Sequence, residues 1–309
     1  MERTTTGYAT GGLAVCLIFL STAILAIANN KLECMNGRIG YDCIIYAELQ
    51  ISNCKAEGFI NGIPFRMIDS SEKPRVSMPV NQYLVDGIND IELIINPGPT
   101  PTASREGENV MNAEGISAEF RLVKYPVGVF VGDEESGEEL CRVSWSGEEG
   151  KEEIFPMSLR IGKGLGPVFG PCLWQGADVL KMNDKTVQQV TEFVKMVYDA
   201  YSEGNPDVIN ELAANRLDEG YRAYPQRDRS TMGQRFAVNL KKRAAQEWWS
   251  MLPFETDQFD LRLCAGDRMV ECIREDWQPI VAAKLEGSDV VFSYPMFLSR
   301  VNGEWIIVR

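Results

Sequence analysis

Histidine is absent from all 309 residues of the chain. Because histidine is the usual general base near neutral pH, its absence excludes Ser-His-Asp and Cys-His hydrolases and the common zinc sites that contain histidine. Any proton transfer would have to use carboxylates, tyrosines, lysines or thiols. In the C-terminal part the candidates are one aspartate and three tyrosines: Asp276, Tyr201, Tyr221 and Tyr294. No motif places any of them in a pocket, so the catalytic residues stay unassigned.

Aromatic side chains of the C-terminal part could instead line a ligand cavity. The ligand-binding candidates are Tyr201, Trp248, Trp277 and Tyr294. A small apolar molecule or a glycan is the ligand that we expect for such a set. Aromatic residues at helical and strand spacing also commonly form part of a hydrophobic core. Both interpretations remain open at this point.

The formal net charge is −13, which does not fit a nucleic-acid-binding protein. Acidic residues cluster in residues 133–139 and 148–153, but their spacing does not match a calcium-binding EF-hand loop. We therefore predict no metal and no cofactor. One basic stretch could receive an anionic partner, or could form a solvated helix face. It comprises Arg227, Arg229, Arg235, Lys241, Lys242 and Arg243.

The N-terminal segment is apolar. Residues 4–30 contain no charged side chain, Arg3 precedes them, and Ala26-Ile27-Ala28 supplies a small-x-small cleavage pattern. This layout is typical of a secretory signal peptide, and the run is also long enough for an uncleaved membrane anchor. We therefore predict an exported protein, located in the periplasm or on the extracytoplasmic face of the membrane. If the segment is uncleaved, it attaches the chain to the membrane.

Seven cysteines follow this segment, and no two form a C-x-x-C pair. In an oxidising compartment one disulfide could form among Cys34, Cys43 and Cys54, and another between Cys141 and Cys172. The alternative is that these cysteines are buried and unpaired.

Residues 31–165 show the pattern of an all-β antiparallel sandwich. Short alternating strands are separated by turn signals, of which Asn61-Gly62 is the strongest hairpin signal. The proline-rich stretch 97–101 cannot lie inside a sheet. A segment rich in glycine and proline follows the sandwich, and we interpret residues 166–183 as a linker.

A family resemblance supports the sandwich. Residues 59–64 (FINGIP) and 79–93 (PVNQYLVDGINDIEL) resemble the jelly-roll domains that accompany many glycoside hydrolases. The resemblance implies sandwich geometry, with turns at Asn61-Gly62 and Gly87. It implies no sugar-binding residue.

Residues 184–309 combine helices and strands in an α+β order. Apolar residues at three- and four-residue spacing predict a first helix from Asn183 to Gly204. Two further helices are expected, at residues 205–214 and 230–249. Long strands with hairpin turns follow, and in one hairpin Cys264 is predicted to face Met269, which separates Cys264 from Cys272.

The element order of residues 184–309, with its closing hairpin at Asn302-Gly303, resembles the nuclear-transport-factor-like cone fold that includes polyketide cyclases and ketosteroid isomerases. The resemblance implies three helices packed on a curved antiparallel sheet. The leading hypothesis is a multidomain, non-catalytic cell-envelope protein that binds a ligand or another envelope protein. The alternative is a cyclase or isomerase that uses an aspartate and a tyrosine in the cone pocket.

Overall fold

The computed structural model of the protein describes residues 39–129, 131, 136–166, 168, 170–285 and 291–309. The apolar N-terminal segment, Asp133 to Glu135 of the first acidic run and the turn predicted at residues 287–289 lie outside the described residues. Within the described ranges the fold is mostly antiparallel β-sheet with four α-helices. No helix in these ranges combines the length and the apolar character needed to cross a membrane.

In its described residues, the first part of the chain contains ten strands. They are β1 (Cys43–Ser52), β2 (Lys55–Ile60), β3 (Ile63–Asp69), β4 (Arg75–Pro79), β5 (Gly87–Ile95), β6 (Asn109–Asn112), β7 (Ser117–Pro126), β8 (Glu138–Ser146), β9 (Glu152–Phe155) and β10 (Met157–Leu165). Two four-stranded sheets, in the orders β4-β1-β7-β8 and β10-β5-β2-β3, account for eight of them, and β6 pairs with β9.

Alternating apolar side chains from the two sheets form one core. Leu49 and Phe120 come from the first sheet, and Ile60 and Leu93 come from the second. Phe65 stacks on Phe120 with ring centroids 5.7 Å apart. Since successive side chains of a strand point to opposite faces, this alternation is what a two-sheet sandwich requires. The described residues thus confirm a β-sandwich-like, all-antiparallel arrangement.

The hairpin between β2 and β3 turns at the predicted dipeptide. Asn61 and Gly62 have φ angles of 56° and 69°, which a two-residue hairpin turn of this hand requires. The Asn61 amide also donates to the Tyr83 carbonyl and to Asn89 Oδ1, both at 2.8 Å. The local turn signal therefore also anchors the loop that precedes β5.

The glycine-rich connection is more ordered than a linker. Strand β10 ends at Leu165, directly before the predicted linker. A short 3-10 turn occupies Leu173–Gly176, and Cys172, Trp174 and Leu180 are buried. Apolar side chains among the glycines and prolines hold this segment against both parts of the chain.

The second part of the chain contains four helices in the described ranges, not the predicted three. They are α1 (Asp184–Ser202), α2 (Pro206–Leu212), α3 (Ala214–Ala223) and α4 (Arg229–Ala244). Asn183 caps α1, its side chain accepting a hydrogen bond from the Thr186 amide at 3.0 Å. Helix α3 was not among the predicted helices, and in the structure it buries only Glu219 and Ala223. Helix α4 ends before residue 249, where a strand begins.

Among the residues that the structure describes, seven short strands follow these helices. They are β11 (Trp249–Met251), β12 (Arg262–Cys264), β13 (Met269–Glu271), β14 (Ala282–Leu285), β15 (Val291–Ser293), β16 (Phe297–Val301) and β17 (Glu304–Ile307). They form sheets in the orders β11-β14-β15 and β12-β13-β16-β17. Cys264 pairs with Met269, which confirms the predicted register of that hairpin. Val194 and Val197 of α1 pack with Val270 and Leu298 of the second sheet.

The two parts are joined by a buried interface, here called the junction. Its apolar centre combines Ile63 of the sandwich with Trp174 of the connection and Phe297 of β16. The proline-rich stretch also takes part, because Pro101 is buried and its carbonyl accepts a hydrogen bond from Arg262 at 3.0 Å. The stretch lies outside the sheets, as expected, and it contacts the second part of the chain.

An ionic cluster lies at the junction. Arg262 of β12 bonds Glu57 of β2 at 2.7 Å and Glu271 of β13 at 2.6 Å. The Arg262 and Glu57 side chains are only 5% and 2% exposed. Ser104 donates a further hydrogen bond to Glu57 at 2.6 Å. One buried guanidinium thus bridges two carboxylates from the two parts of the chain.

Candidate functional site

The structure brings two of the four predicted ligand-binding aromatics together. Tyr201 and Tyr294 have ring centroids 6.2 Å apart, and Tyr201 also packs on Trp249 at 5.5 Å. Phe236 contacts Tyr294 at 5.6 Å. Tyr201 is 4% exposed, and burial raises its pKa to about 12. These rings pack against one another as part of the core between the helices and the sheets.

The other two predicted aromatics lie elsewhere. Trp277 lies next to the ionic cluster, 5.7 Å from the Arg262 guanidinium, and its indole nitrogen donates to the Pro99 carbonyl at 3.3 Å. Trp248 is half-buried, and its neighbour Trp249 makes the contact with Tyr201.

The groups considered for catalysis are not assembled as an acid–base pair. Asp276 pairs with Arg274 at 3.6 Å and accepts a hydrogen bond from the Gln278 amide, and its side chain is 58% exposed. Tyr221 is half-buried on α3. Across the described ranges, no group of three cysteine, aspartate or glutamate side chains is arranged to hold a metal ion.

The structure shows which of the described cysteines are bonded and which are free. Cys43 is disulfide-bonded. Cys141 and Cys172 are both free thiols, so of the two alternatives for this pair the disulfide is wrong and the unpaired state is found. Cys54, Cys264 and Cys272 are also free, and all three are buried.

The candidate site is a cavity of about 260 Å³ at the junction. Tyr83 contributes from a short 3-10 turn of the sandwich, Asn81–Tyr83, and Arg216 contributes from α3. Phe297 of β16 and Arg309 also line the cavity. The cavity exists only because the sandwich, α3 and the last strands meet, as is common for ligand sites at domain interfaces.

A hydrogen-bonded frame supports the cavity. The side chain of Asn81, fully buried, donates to the Ala223 carbonyl at 2.9 Å and accepts from the Ile45 amide at 2.8 Å. The backbone N–H of Asn81 donates to the Tyr224 hydroxyl at 3.0 Å, and that hydroxyl donates to Gln82 Oε1. Burial raises the pKa of Tyr224 above its ordinary value. Tyr224 therefore stays neutral and holds α3 to the sandwich.

The walls of the cavity are partly aromatic. Tyr83, Tyr224 and Phe297 line it together with Val308. Burial raises the pKa of Tyr83, so its hydroxyl also stays protonated. This hydroxyl has no hydrogen-bond partner among the described residues. The site therefore offers flat apolar surface together with an unused hydroxyl donor.

Three arginines line the cavity, and among the described residues no acidic side chain does. Arg216 donates to the Pro295 carbonyl at 2.9 Å and lies 5.0 Å from the Tyr294 ring. Arg227 lies over the Tyr224 ring at 4.2 Å. In the described part of the chain, neither has a carboxylate partner. Two guanidinium groups are thus left without an anion, in a chain whose net charge is −13.

The third arginine is buried. Arg309 is 6% exposed and pairs with Glu219, and it donates to Cys172 Sγ at 3.3 Å. Glu219 holds the pKa of Arg309 above its ordinary value despite the burial. Arg309 Nε is buried with no hydrogen-bond partner in the described residues. Its Nη atoms already donate to Glu219, Gln82 and Cys172, so Arg309 supports the wall of the cavity.

Most residues of this site were not among the predicted site residues. Arg227 belonged to the basic stretch and Tyr83 to the jelly-roll resemblance, but Arg216 and Arg309 carried no signal. Their positions depend on the docking of the two parts. Comparison of the chain with protein-family models, with curated proteins and with solved structures finds no match in any of the three.

Proposed function

We propose that this protein is a non-catalytic, exported binding protein that holds a small organic anion in the junction cavity. The observation that carries the proposal is the pair of arginines, Arg216 and Arg227, that line the cavity without a carboxylate partner. Aromatic walls next to cationic donors suit an anion with an apolar or aromatic body.

The chemistry of the chain supports binding over turnover. Histidine is absent, Asp276 is paired with Arg274, and the rings of Tyr201 and Tyr294 are packed into the core. These observations favour the binding hypothesis over the cyclase or isomerase alternative. A second envelope protein or a glycan as partner stays a prediction.

Binding is tested with benzoate, a small aromatic anion, by calorimetry on the purified protein. We expect saturable binding, weakened about tenfold or more by Arg216→Gln, since a hydrogen bond to a charged group contributes roughly 1.5–3 kcal/mol. The matched control is Arg66→Gln, which changes an exposed arginine on β3. Benzyl alcohol, which lacks the charge, should bind less well than benzoate.

The proposal fails if benzoate does not saturate the protein, or if Arg216→Gln binds it as tightly as the unchanged protein does. Circular dichroism of both variants shows whether the fold is retained. Arg216 is only half-buried, so we expect the substitution to be tolerated.

Export is proposed from the uncharged run at residues 4–30. Cell fractionation should place the protein outside the cytosol, and N-terminal sequencing should show either a start after Ala28 or a retained anchor. Full-length protein recovered free in the cytosol would contradict this part of the proposal.

A further inference from the structure

We propose that the anion bound at the junction is a phosphomonoester, the phosphate group being held by Arg216 and Arg227. This inference rests on the proposed function and specifies the ligand class. Its starting point is the number of donor groups around one small space.

The cavity contains more donors than a single carboxylate can use. Arg216 uses one Nη1 bond on the Pro295 carbonyl. Arg227 makes a ring contact with Tyr224 and has no carboxylate partner among the described residues. A guanidinium presents five N–H donors in a fixed plane, so most donors of both arginines remain available.

One further donor belongs to a residue that lines the same cavity. The Tyr83 hydroxyl lacks a hydrogen-bond partner in the part of the chain that the structure describes. A carboxylate has two oxygens in one plane, whereas a phosphate has three terminal oxygens in a tetrahedral arrangement. Donors contributed by Tyr83, by α3 and by the segment after it suit the tetrahedral group better.

The charge of the cavity also favours a phosphomonoester. A phosphomonoester carries about −1.5 to −2 charges near pH 7, and the cavity has two arginines without a carboxylate partner. Both charges lie on one head group, which suits a volume of about 260 Å³. The aromatic walls formed by Tyr224 and Phe297 would then contact the organic part of the ligand.

The test compares three probes by calorimetry at pH 7.5: phenyl phosphate, benzoate and phthalate. They share one ring and differ in the charge and shape of the anion. We expect phenyl phosphate to bind at least about tenfold more tightly than benzoate, because at least one further charge-assisted hydrogen bond forms. Phthalate carries two charges on separate groups, so we expect it to bind more weakly than phenyl phosphate.

Variants test whether the arginines cause the preference for phenyl phosphate over benzoate. Arg227→Gln should reduce the advantage of phenyl phosphate over benzoate, and the Arg66→Gln control should leave it unchanged. Arg227 is exposed, so its replacement should not disturb folding.

The results with the three probes distinguish failure of this inference from failure of the proposed function. If benzoate binds as tightly as phenyl phosphate, the phosphate class is wrong and anion binding stands. If phthalate equals phenyl phosphate, charge is recognised without the tetrahedral shape, and the inference is again overturned. If no probe binds, both proposals fail.

Discussion

Arg262 and Glu57 form a buried ion pair with a distance of 2.7 Å between Nη2 and Oε1, although 205 residues separate them along the chain. Arg262 also bonds Glu271 at 2.6 Å, and its guanidinium carbon lies 5.4 Å from the Phe59 ring. The pair joins strand β2 of the sandwich to strand β12 of the second part. The pair can therefore form only when the two parts are docked.

Replacing Arg262 should destabilise the whole molecule. Arg262→Met leaves Glu57 and Glu271 without their shared cation in a buried place, and removing one partner of a buried pair costs roughly 3–5 kcal/mol. We expect a lower denaturant midpoint, measured by urea unfolding. Arg66→Met is the matched control on an exposed site of β3 and should change stability little. Equal midpoints for the two variants would show that the ionic cluster does not stabilise the fold.

The same cluster should make stability depend on pH. Burial raises the pKa of Glu271 to about 7, opposed by Arg262 and reinforced by Glu57 and Asp260. A carboxyl with a raised pKa is protonated more readily in the folded state than in the unfolded one. The free energy of unfolding should therefore fall as pH rises from about 4.5 to about 7, by about 3 kcal/mol from this group.

Urea unfolding across this pH range compares the unchanged protein with Glu271→Gln. The variant keeps the shape of the side chain and cannot ionise, so the decline with pH should be smaller. Glu304→Gln is an exposed control on β17 and should keep the full decline. A decline of the same size in Glu271→Gln would assign the pH dependence to another group.

Asn81 should be the most sensitive residue near the cavity. Asn81→Ala leaves the Ile45 amide and the Ala223 carbonyl unpaired and buried, and each unsatisfied group costs about 1–3 kcal/mol. Asn81→Asp keeps the acceptor for Ile45 and loses the donor to Ala223. Asn109→Ala, on the exposed strand β6, is the control.

Thermal unfolding should place Asn81→Ala well below Asn109→Ala. If both shift the midpoint equally, Asn81 does not hold α3 to the sandwich. Benzoate binding to Asn81→Ala, measured below its midpoint, should be weaker, because the Tyr224 wall depends on the same frame.

The free thiols should react slowly in the native protein. Burial raises the pKa of Cys54 to about 11 and that of Cys272 well above its ordinary value, so few thiolates are present at pH 8. Cys141 is only half-buried and should label first with a disulfide reagent. Peptide mass spectrometry should find Cys141 and Cys172 unlinked. A disulfide between them, or fast labelling of Cys54, would contradict the structure.

Short-range features followed from the sequence alone. The Asn61-Gly62 turn, the first helix after Asn183 and the pairing of Cys264 with Met269 were all predicted from residues that lie close together along the chain. Backbone angles, helix caps and hairpin registers are set by neighbours, so the amino-acid pattern contains the information. The alternating strands of the sandwich were predictable for the same reason.

The tertiary structure alone decided the site. The Arg309 guanidinium donates to the Gln82 carbonyl 227 residues away, and Tyr83 and Arg216 line one cavity although they come from different parts of the chain. The aromatic residues chosen from sequence show the limit, because Tyr201 is in the core and Trp277 lies beside Arg262. Residue type and spacing describe one element at a time. A cavity between two docked parts depends on how their surfaces fit, and no local pattern contains that fit.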